Sequence, residues 1–138
     1  MEPLYTAAGT ATHGRDGRTR SADGFVDVPL AVPKEMGGPG GEGTNPEQLF
    51  AAGYAACFHG ALLLAARQDK ADVRESTMTA HVTIGRDDDG GLALAVEMVG
   101  SLPHLDKERA QALMDRAHQI CPYSKATRGN IPVTLSVA

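Results

Sequence analysis

The chain has no tryptophan, and its aromatic side chains amount to Tyr5, Tyr54, Tyr123, Phe25, Phe50 and Phe58, so a platform for stacking successive bases is missing. A surplus of basic charge is missing too. The 13 Lys plus Arg are interspersed with 17 Asp plus Glu, for a formal net charge of -4, and no stripe of cations is offered to a phosphate backbone. We therefore expect no nucleic-acid partner. Cysteine is scarce: two in 138 residues do not staple a small secreted fold, which uses roughly four or more in a shorter chain. The N-terminal stretch lacks the basic, then apolar, then small-residue order of a signal peptide, and the expected compartment is the cytoplasm. In a reducing compartment two cysteines can be core filler, half of a metal site or a working redox pair, and their surroundings must decide.

With 42% hydrophobic residues the chain has material for one core and would starve two, so a single domain over 1–138 is expected. Thr- and Ala-rich Tyr5 to Thr12, the turn signal Arg15-Asp16-Gly17 and the extended run Thr19 to Leu30 predict an N-terminal hairpin or meander. Gly37 to Thr44 is too rich in glycine for a helix or central strand and reads as an ordered loop. It lacks the Gly-Lys-Ser/Thr ending of a nucleotide loop, and shaping an apolar pocket is the preferred reading. Asn45-Pro46-Glu47-Gln48 then starts a helix, with Asn as N-cap and Pro at the first helical position, that runs to about Ala66 or Arg67.

Between Leu49 and Ala66 there is no Asp, Glu, Lys or Arg and only one histidine, His59, so this helix is apolar on every side. Ala and Gly dominate over Leu and Ile, which favours a buried central helix over a membrane span. A chain of this size cannot cover such a helix alone, and a second subunit across a two-fold axis is inferred. Alternation at Met78, Ala80, Val82 and Ile84, the turn Asp87 to Gly91 and the run Leu92 to Val99 predict a second hairpin. Asp106 to about Ile120 is an amphipathic helix disturbed by Pro122; Tyr123 to Gly129 reads as a short turn and Ile131 to Val137 as a final strand. The expected class is α+β with mainly antiparallel sheets.

Cys57 lies inside the long helix and Cys121 where the second helix meets Pro122. Both suit the part of buried apolar thiols. A cysteine at a helix break can also meet free backbone N–H groups, whereas a mid-helix thiolate at Cys57 needs a cation from elsewhere. A guanidinium fits that need; Arg15 is a candidate, with Arg18, Arg20, Arg67 and Arg128 as rivals. Glu47 reads as a first-turn acid complementing the helix dipole. Ten residues at 1.5 Å rise separate Glu47 from Cys57 by roughly 15 Å, so an arginine serving both requires a kink near Gly53 or another subunit. Cys57, His59, His118 and Cys121 form a conceivable zinc set, but Cys57 and His59 point about 200° apart on a helix.

Gly14-Arg15-Asp16-Gly17, the block from Gly37 through Gly43-Thr44-Asn45-Pro46-Glu47-Gln48 to Ala56-Cys57-Phe58, and His118 with Cys121-Pro122-Tyr123-Ser124 and Ala126-Thr127-Arg128-Gly129-Asn130 stand in a specific order. From end to end the chain resembles the organic hydroperoxide resistance (Ohr) proteins of the Ohr/OsmC family. The resemblance implies an OsmC/Ohr-like α+β fold in an intertwined homodimer, with active sites at the subunit interface. It implies a thiol peroxidase acting on organic hydroperoxides, including fatty-acid ones, with a dihydrolipoyl protein as reductant and neither cofactor nor metal. It assigns Cys57 as peroxidatic and Cys121 as resolving residue, Arg15 to stabilising thiolate and transition state, and Glu47 to orienting Arg15. His13 departs from the pattern, standing where the family commonly carries Gly. The competing expectation is an α+β ligand-binding or structural dimer with inert cysteines, and behind it a Cys/His zinc protein.

Overall fold

Glycine decides the first turn of the chain. A Cβ on Gly17 would sit 1.8 Å from the Thr12 carbonyl oxygen, so only glycine lets the strand before Arg15 and the strand after it close on each other. In the computed structural model, which describes residues 1–138, these strands are β1 (Gly9–Thr12) and β2 (Arg18–Ser21), paired antiparallel with Thr10 opposite Arg20. β3 (Asp27–Pro29) joins β2 with Val28 opposite Thr19, so the expected N-terminal element is a three-stranded meander. A one-residue parallel bridge between Leu30 and Thr44 returns the glycine-rich segment beside β3. A Cβ on Gly43 would lie 2.8 Å from the Leu30–Ala31 backbone, which explains glycine at that crossing.

Helix α1 (Pro46–Asp69) starts where its capping residues predict: the Gln48 N–H donates to Asn45 Oδ1 at 2.8 Å. It continues without a break at Gly53 and runs two residues past Arg67. The chain divides into two compact units, Met1–Leu49 and Phe50–Ala138, the division falling in the first turns of α1.

In Phe50–Ala138, β4 (Thr77–Arg86) and β5 (Leu92–Ser101) form the second hairpin over ten paired residues. On β4 the side chains of Met78, Ala80, Val82 and Ile84 turn inward while Thr77, Thr79, His81 and Thr83 face out, as period-two alternation requires. β6 (Val133–Val137) adds to β5 in parallel, Met98 opposite Leu135. Helix α2 (Lys107–Ile120) is capped by Asp106, whose carboxylate accepts from the Arg109 N–H at 2.9 Å. Its buried stripe, Ala110, Leu113, Met114 and Ala117, packs with Tyr54, Phe58, Leu62 and Ala65 of α1 and with Val96 and Met98 of β5. Each fully buried large side chain there contributes about 1.5–3 kcal/mol of apolar transfer. Gly100 is the close approach in that core, since a Cβ on it would meet Met114 Sδ at 2.6 Å.

The segment read as a turn after Pro122 is a helix, α3 (Pro122–Thr127), with Cys121 as its N-cap and Pro at its first position. Six residues carry too little periodicity to declare a helix, and long-range hydroxyl contacts described below hold it. α1 is also less covered than a central helix: along it Ala52, Ala56, Gly60, Leu63, Leu64 and Arg67 are exposed.

Candidate active site

Two chemical centres stand out, one in each unit. In Met1–Leu49 the β1–β2 connection is a single 3₁₀ turn, Gly14–Asp16, entered through His13 in the left-handed region at φ 56. That conformation is strained for a residue with a Cβ and free for glycine, which is a physical reason for glycine to be preferred there. The turn presents Arg15, whose Nη1 and Nη2 donate to Glu47 Oε2 and Oε1 at 2.8 and 2.7 Å. This two-pronged contact uses two of the five N–H donors of a guanidinium and leaves the others free. Hydrogen bonding to Arg15 holds the Glu47 carboxyl below its ordinary value, against the opposing effect of burial, and the same contact raises Arg15. A cavity of about 440 Å³ opens beside the pair, lined by Ala11, Gly14, Arg15, Thr19, Leu30, Pro46 and Leu49. Its walls are apolar apart from the guanidinium and one hydroxyl, a chemistry suited to a hydrophobic molecule with one polar end.

In Phe50–Ala138, α1 supplies Cys57 and the α2–α3 junction supplies Cys121. The Cys121 thiol donates to Cys57 Sγ at 3.5 Å, and both cysteines are free. Cys121 is fully buried, while Cys57 is partly exposed. A disulfide requires the sulfurs to approach by a further 1.5 Å or so, within reach of a cysteine at the hinge between two helices. Burial pushes the Cys57 thiol above its ordinary value; the Tyr123 backbone N–H lowers it and the neighbouring Cys121 adds to the rise. No cation offsets these effects within the unit. Phe50, Tyr54 and Tyr123 cluster around this stretch of α1, with ring centroids of Phe50 and Tyr123 6.2 Å apart. Gly53 makes room for that cluster, because a Cβ there would lie 3.3 Å from the Tyr123 hydroxyl.

The four residues singled out from the sequence thus form two pairs, Arg15 with Glu47 and Cys57 with Cys121. Among the rival arginines, Arg18 is engaged by Asp27 at 2.6 Å and Arg128 donates to the His118 carbonyl at 2.7 Å. The zinc set does not assemble. His59 Nε2 lies 2.9 Å from Ser76 Oγ, and no three His, Cys, Asp or Glu side chains gather around a point, as the 200° divergence of Cys57 and His59 dictates. His118 has a buried, unpartnered Nδ1 beside Phe58, and burial lowers its pKa.

One feature near the cysteines escaped the sequence reading. The Tyr54 hydroxyl lies 2.9 Å from both Ser124 Oγ and Thr127 Oγ1, joining α1 to α3 across 70 and 73 residues. A tyrosine inside an otherwise apolar helix, needing a buried partner for its hydroxyl, was the available signal.

The family model described as OsmC-like protein matches residues 38–136, which include every element bearing a cysteine. An organic hydroperoxide resistance protein of Xanthomonas axonopodis pv. citri is 54% identical over 136 residues, covering 98% of this chain and 95% of the relative. Among solved structures, an organic hydroperoxide resistance protein from Elizabethkingia anophelis has a TM-score of 0.93 at 47% identity, covering 100% of this chain and 99% of the other. OhrB of Bacillus subtilis has a TM-score of 0.90 at 45% identity, covering 99% of this chain and 100% of its own. The chain belongs to the organic hydroperoxide resistance (Ohr) family of OsmC-like proteins.

Proposed function

We propose that the chain serves in organic hydroperoxide resistance as a thiol peroxidase, with Cys57 as the peroxidatic and Cys121 as the resolving residue. The observation that carries this reading is the 3.5 Å contact between two free thiols on different helices, one partly exposed and one buried at a helix junction. The names of relatives at 54% identity supply the substrate class. The Cys57 thiolate attacks the distal oxygen of the hydroperoxide, the O–O bond breaks, and the departing alkoxide takes up a proton to leave as the alcohol. Cys57 is left as sulfenic acid. The Cys121 sulfur then attacks it, the sulfenic hydroxyl leaves with the Cys121 proton as water, and the Cys57–Cys121 disulfide forms. A dithiol reduces that bond by two exchanges, becoming a cyclic disulfide itself.

The raised Cys57 thiol supports a role for an imported cation. Arg15 has donors to spare after binding Glu47, and we assign it to holding the thiolate and the developing alkoxide charge, with Glu47 fixing the plane of the guanidinium. The apolar cavity beside Arg15 fits an alkyl or fatty-acyl chain better than hydrogen peroxide. The exposed line Ala52, Ala56, Gly60, Leu63 and Leu64 on α1 favours a homodimer, and a dithiol-dependent cycle suits the cytoplasm.

Steady-state consumption of cumene hydroperoxide with dihydrolipoamide and a lipoylated protein, run beside thioredoxin, tests the reading. Sustained turnover with the lipoyl donor and little with thioredoxin is expected. No turnover with any dithiol contradicts the enzyme reading in favour of a dimer with inert cysteines.

A further inference from the structure

Two contacts, one helical turn apart, join the same pair of helices. On α1, Tyr54 precedes Cys57 by three residues; at α3, Ser124 follows Cys121 by three. Residues at that spacing share a helix face, so the sulfur contact of 3.5 Å and the Tyr54–Ser124 contact of 2.9 Å are successive rungs of one ladder. Proton bookkeeping fixes the direction of the hydroxyl rung. Thr127 spends its proton on the Ser124 carbonyl at 3.2 Å, so Tyr54 must donate to Thr127, and Ser124 must donate to Tyr54. The three hydroxyls form a chain, Ser124 to Tyr54 to Thr127, that returns to Ser124 at its backbone carbonyl, and each hydroxyl gives one hydrogen bond. The chain is also dry, with Tyr54 and Ser124 fully buried and Thr127 nearly so, so water cannot substitute for a missing member.

Besides these hydroxyls, α3 is held by the contacts of Tyr123 with Phe50 and Tyr54 and, at its C-cap, by Arg128 on the His118 carbonyl; the hydroxyl contacts are the polar ones that tie it to α1. α3 has six residues, follows the break at Pro122, and presents Tyr123 half to solvent. We propose that the Tyr54–Ser124–Thr127 hydroxyl chain is a positioning device that keeps Cys121 within closing distance of Cys57, so that disulfide formation outruns further oxidation of Cys57. Tyr54 hydrogen-bonds to Ser124 and Thr127 rather than to either sulfur, and acts through the placement of α3. The proposal rests on the peroxidase reading. Once Cys57 is a sulfenic acid, two reactions compete for it. Attack by Cys121 releases water and gives the disulfide, whereas a second hydroperoxide transfers its distal oxygen, leaves as alcohol and gives sulfinic acid, from which a dithiol does not recover the enzyme. A loosened α3 slows only the first of these.

The test is a hydroperoxide titration of the reduced full-length protein, with Cys57 scored by mass spectrometry as disulfide or sulfinic acid. In Tyr54→Phe the ring keeps its aromatic packing and loses its hydroxyl. The dose producing half sulfinic acid should fall by about fivefold, the effect of one lost hydrogen bond, while the first oxidation of Cys57 serves as internal reference. Thr127→Ala should lower the dose likewise, whereas Thr127→Ser keeps the hydroxyl and should hold the parental dose, a difference general destabilisation does not predict. Ser124→Ala is measured in parallel by the same criterion and decides the matter should Tyr54→Phe not fold. A folded Tyr54→Phe or Ser124→Ala protein with the parental dose overturns the proposal, as does a variant whose first oxidation slows as much as its resolution. A parent protein that consumes no hydroperoxide overturns the peroxidase reading itself, an outcome distinct from a parent that forms its disulfide and a variant that matches it.

Discussion

The two units of this chain bury themselves very differently. In Met1–Leu49, Leu30 is the one buried apolar side chain, and Leu4, Tyr5 and Phe25 are at least 82% exposed. In Phe50–Ala138 the core runs continuously from Tyr54 through Met98 and Met114 to Cys121. Their chemistry divides in the same way. The first unit holds a paired arginine and carboxylate beside an open apolar cavity; the second holds two thiols in surroundings that disfavour the thiolate. A cation on a thinly packed turn, held by a carboxylate and 37% exposed, keeps its charge and its spare donors. A sulfur pair in a dense core gains fixed geometry but loses reactivity. Neither unit carries both halves of thiol activation, and this is why we assign the activated state to Arg15 acting on Cys57.

The largest effect that can break this division lies on the sulfur side. Cys57→Ser should lower hydroperoxide consumption to the uncatalysed background, and Cys121→Ser should consume about one hydroperoxide per Cys57 and then stall. Rapid-mixing assays check both, and equal activity in the two variants contradicts the assigned roles. The charged side comes next. Arg15→Ala should slow the first oxidation by about tenfold or more and move the thiolate absorbance titration upward, since one pKa unit corresponds to a tenfold change in equilibrium. A titration superimposable on the parent removes Arg15 from the site.

The smallest effect sharpens the comparison through pH. Hydrogen bonding to Arg15 holds the Glu47 carboxyl below its ordinary value of 4.5. A carboxyl depressed in this way adds stability that is fully present above the unfolded value and is lost as the pH falls through the folded one. Glu47→Gln should therefore melt below the parent at neutral pH, with the gap closing as the pH drops below 4.5. With the Arg15 side chain 37% exposed, the gap should stay under about 1 kcal/mol. Thermal melts from pH 7 to acid check this, and a gap independent of pH shows that the ion pair is not its source.

What could be read before the structure follows from how far each signal travels along the chain. The start of α1 was legible because Asn45, Pro46 and Gln48 are neighbours and their capping chemistry is local. α2 was legible from the helical spacing of Ala110, Leu113, Met114 and Ala117. β4 was legible from strict alternation. α3 was not, because its six residues are held by Tyr54 from 70 residues away. The parallel seat of β6 beside β5 likewise depends on a pairing with no local mark. Cys57 and Cys121 drew attention by scarcity, yet their 3.5 Å contact spans 64 residues and no spacing rule joins them. Arg15 stood among four rivals from residue chemistry alone; the motifs around it raised the assignment, and its two-pronged contact with Glu47 sets it apart from Arg18 and Arg128.

The central claim is that Cys57 and Cys121 are a working couple, and a thiol count tests it most directly. Prereduced protein treated with one equivalent of cumene hydroperoxide should lose two free thiols per chain, and peptide mapping should find Cys57 joined to Cys121 within one chain. Two thiols remaining after treatment, or a link formed only between chains, contradicts the account.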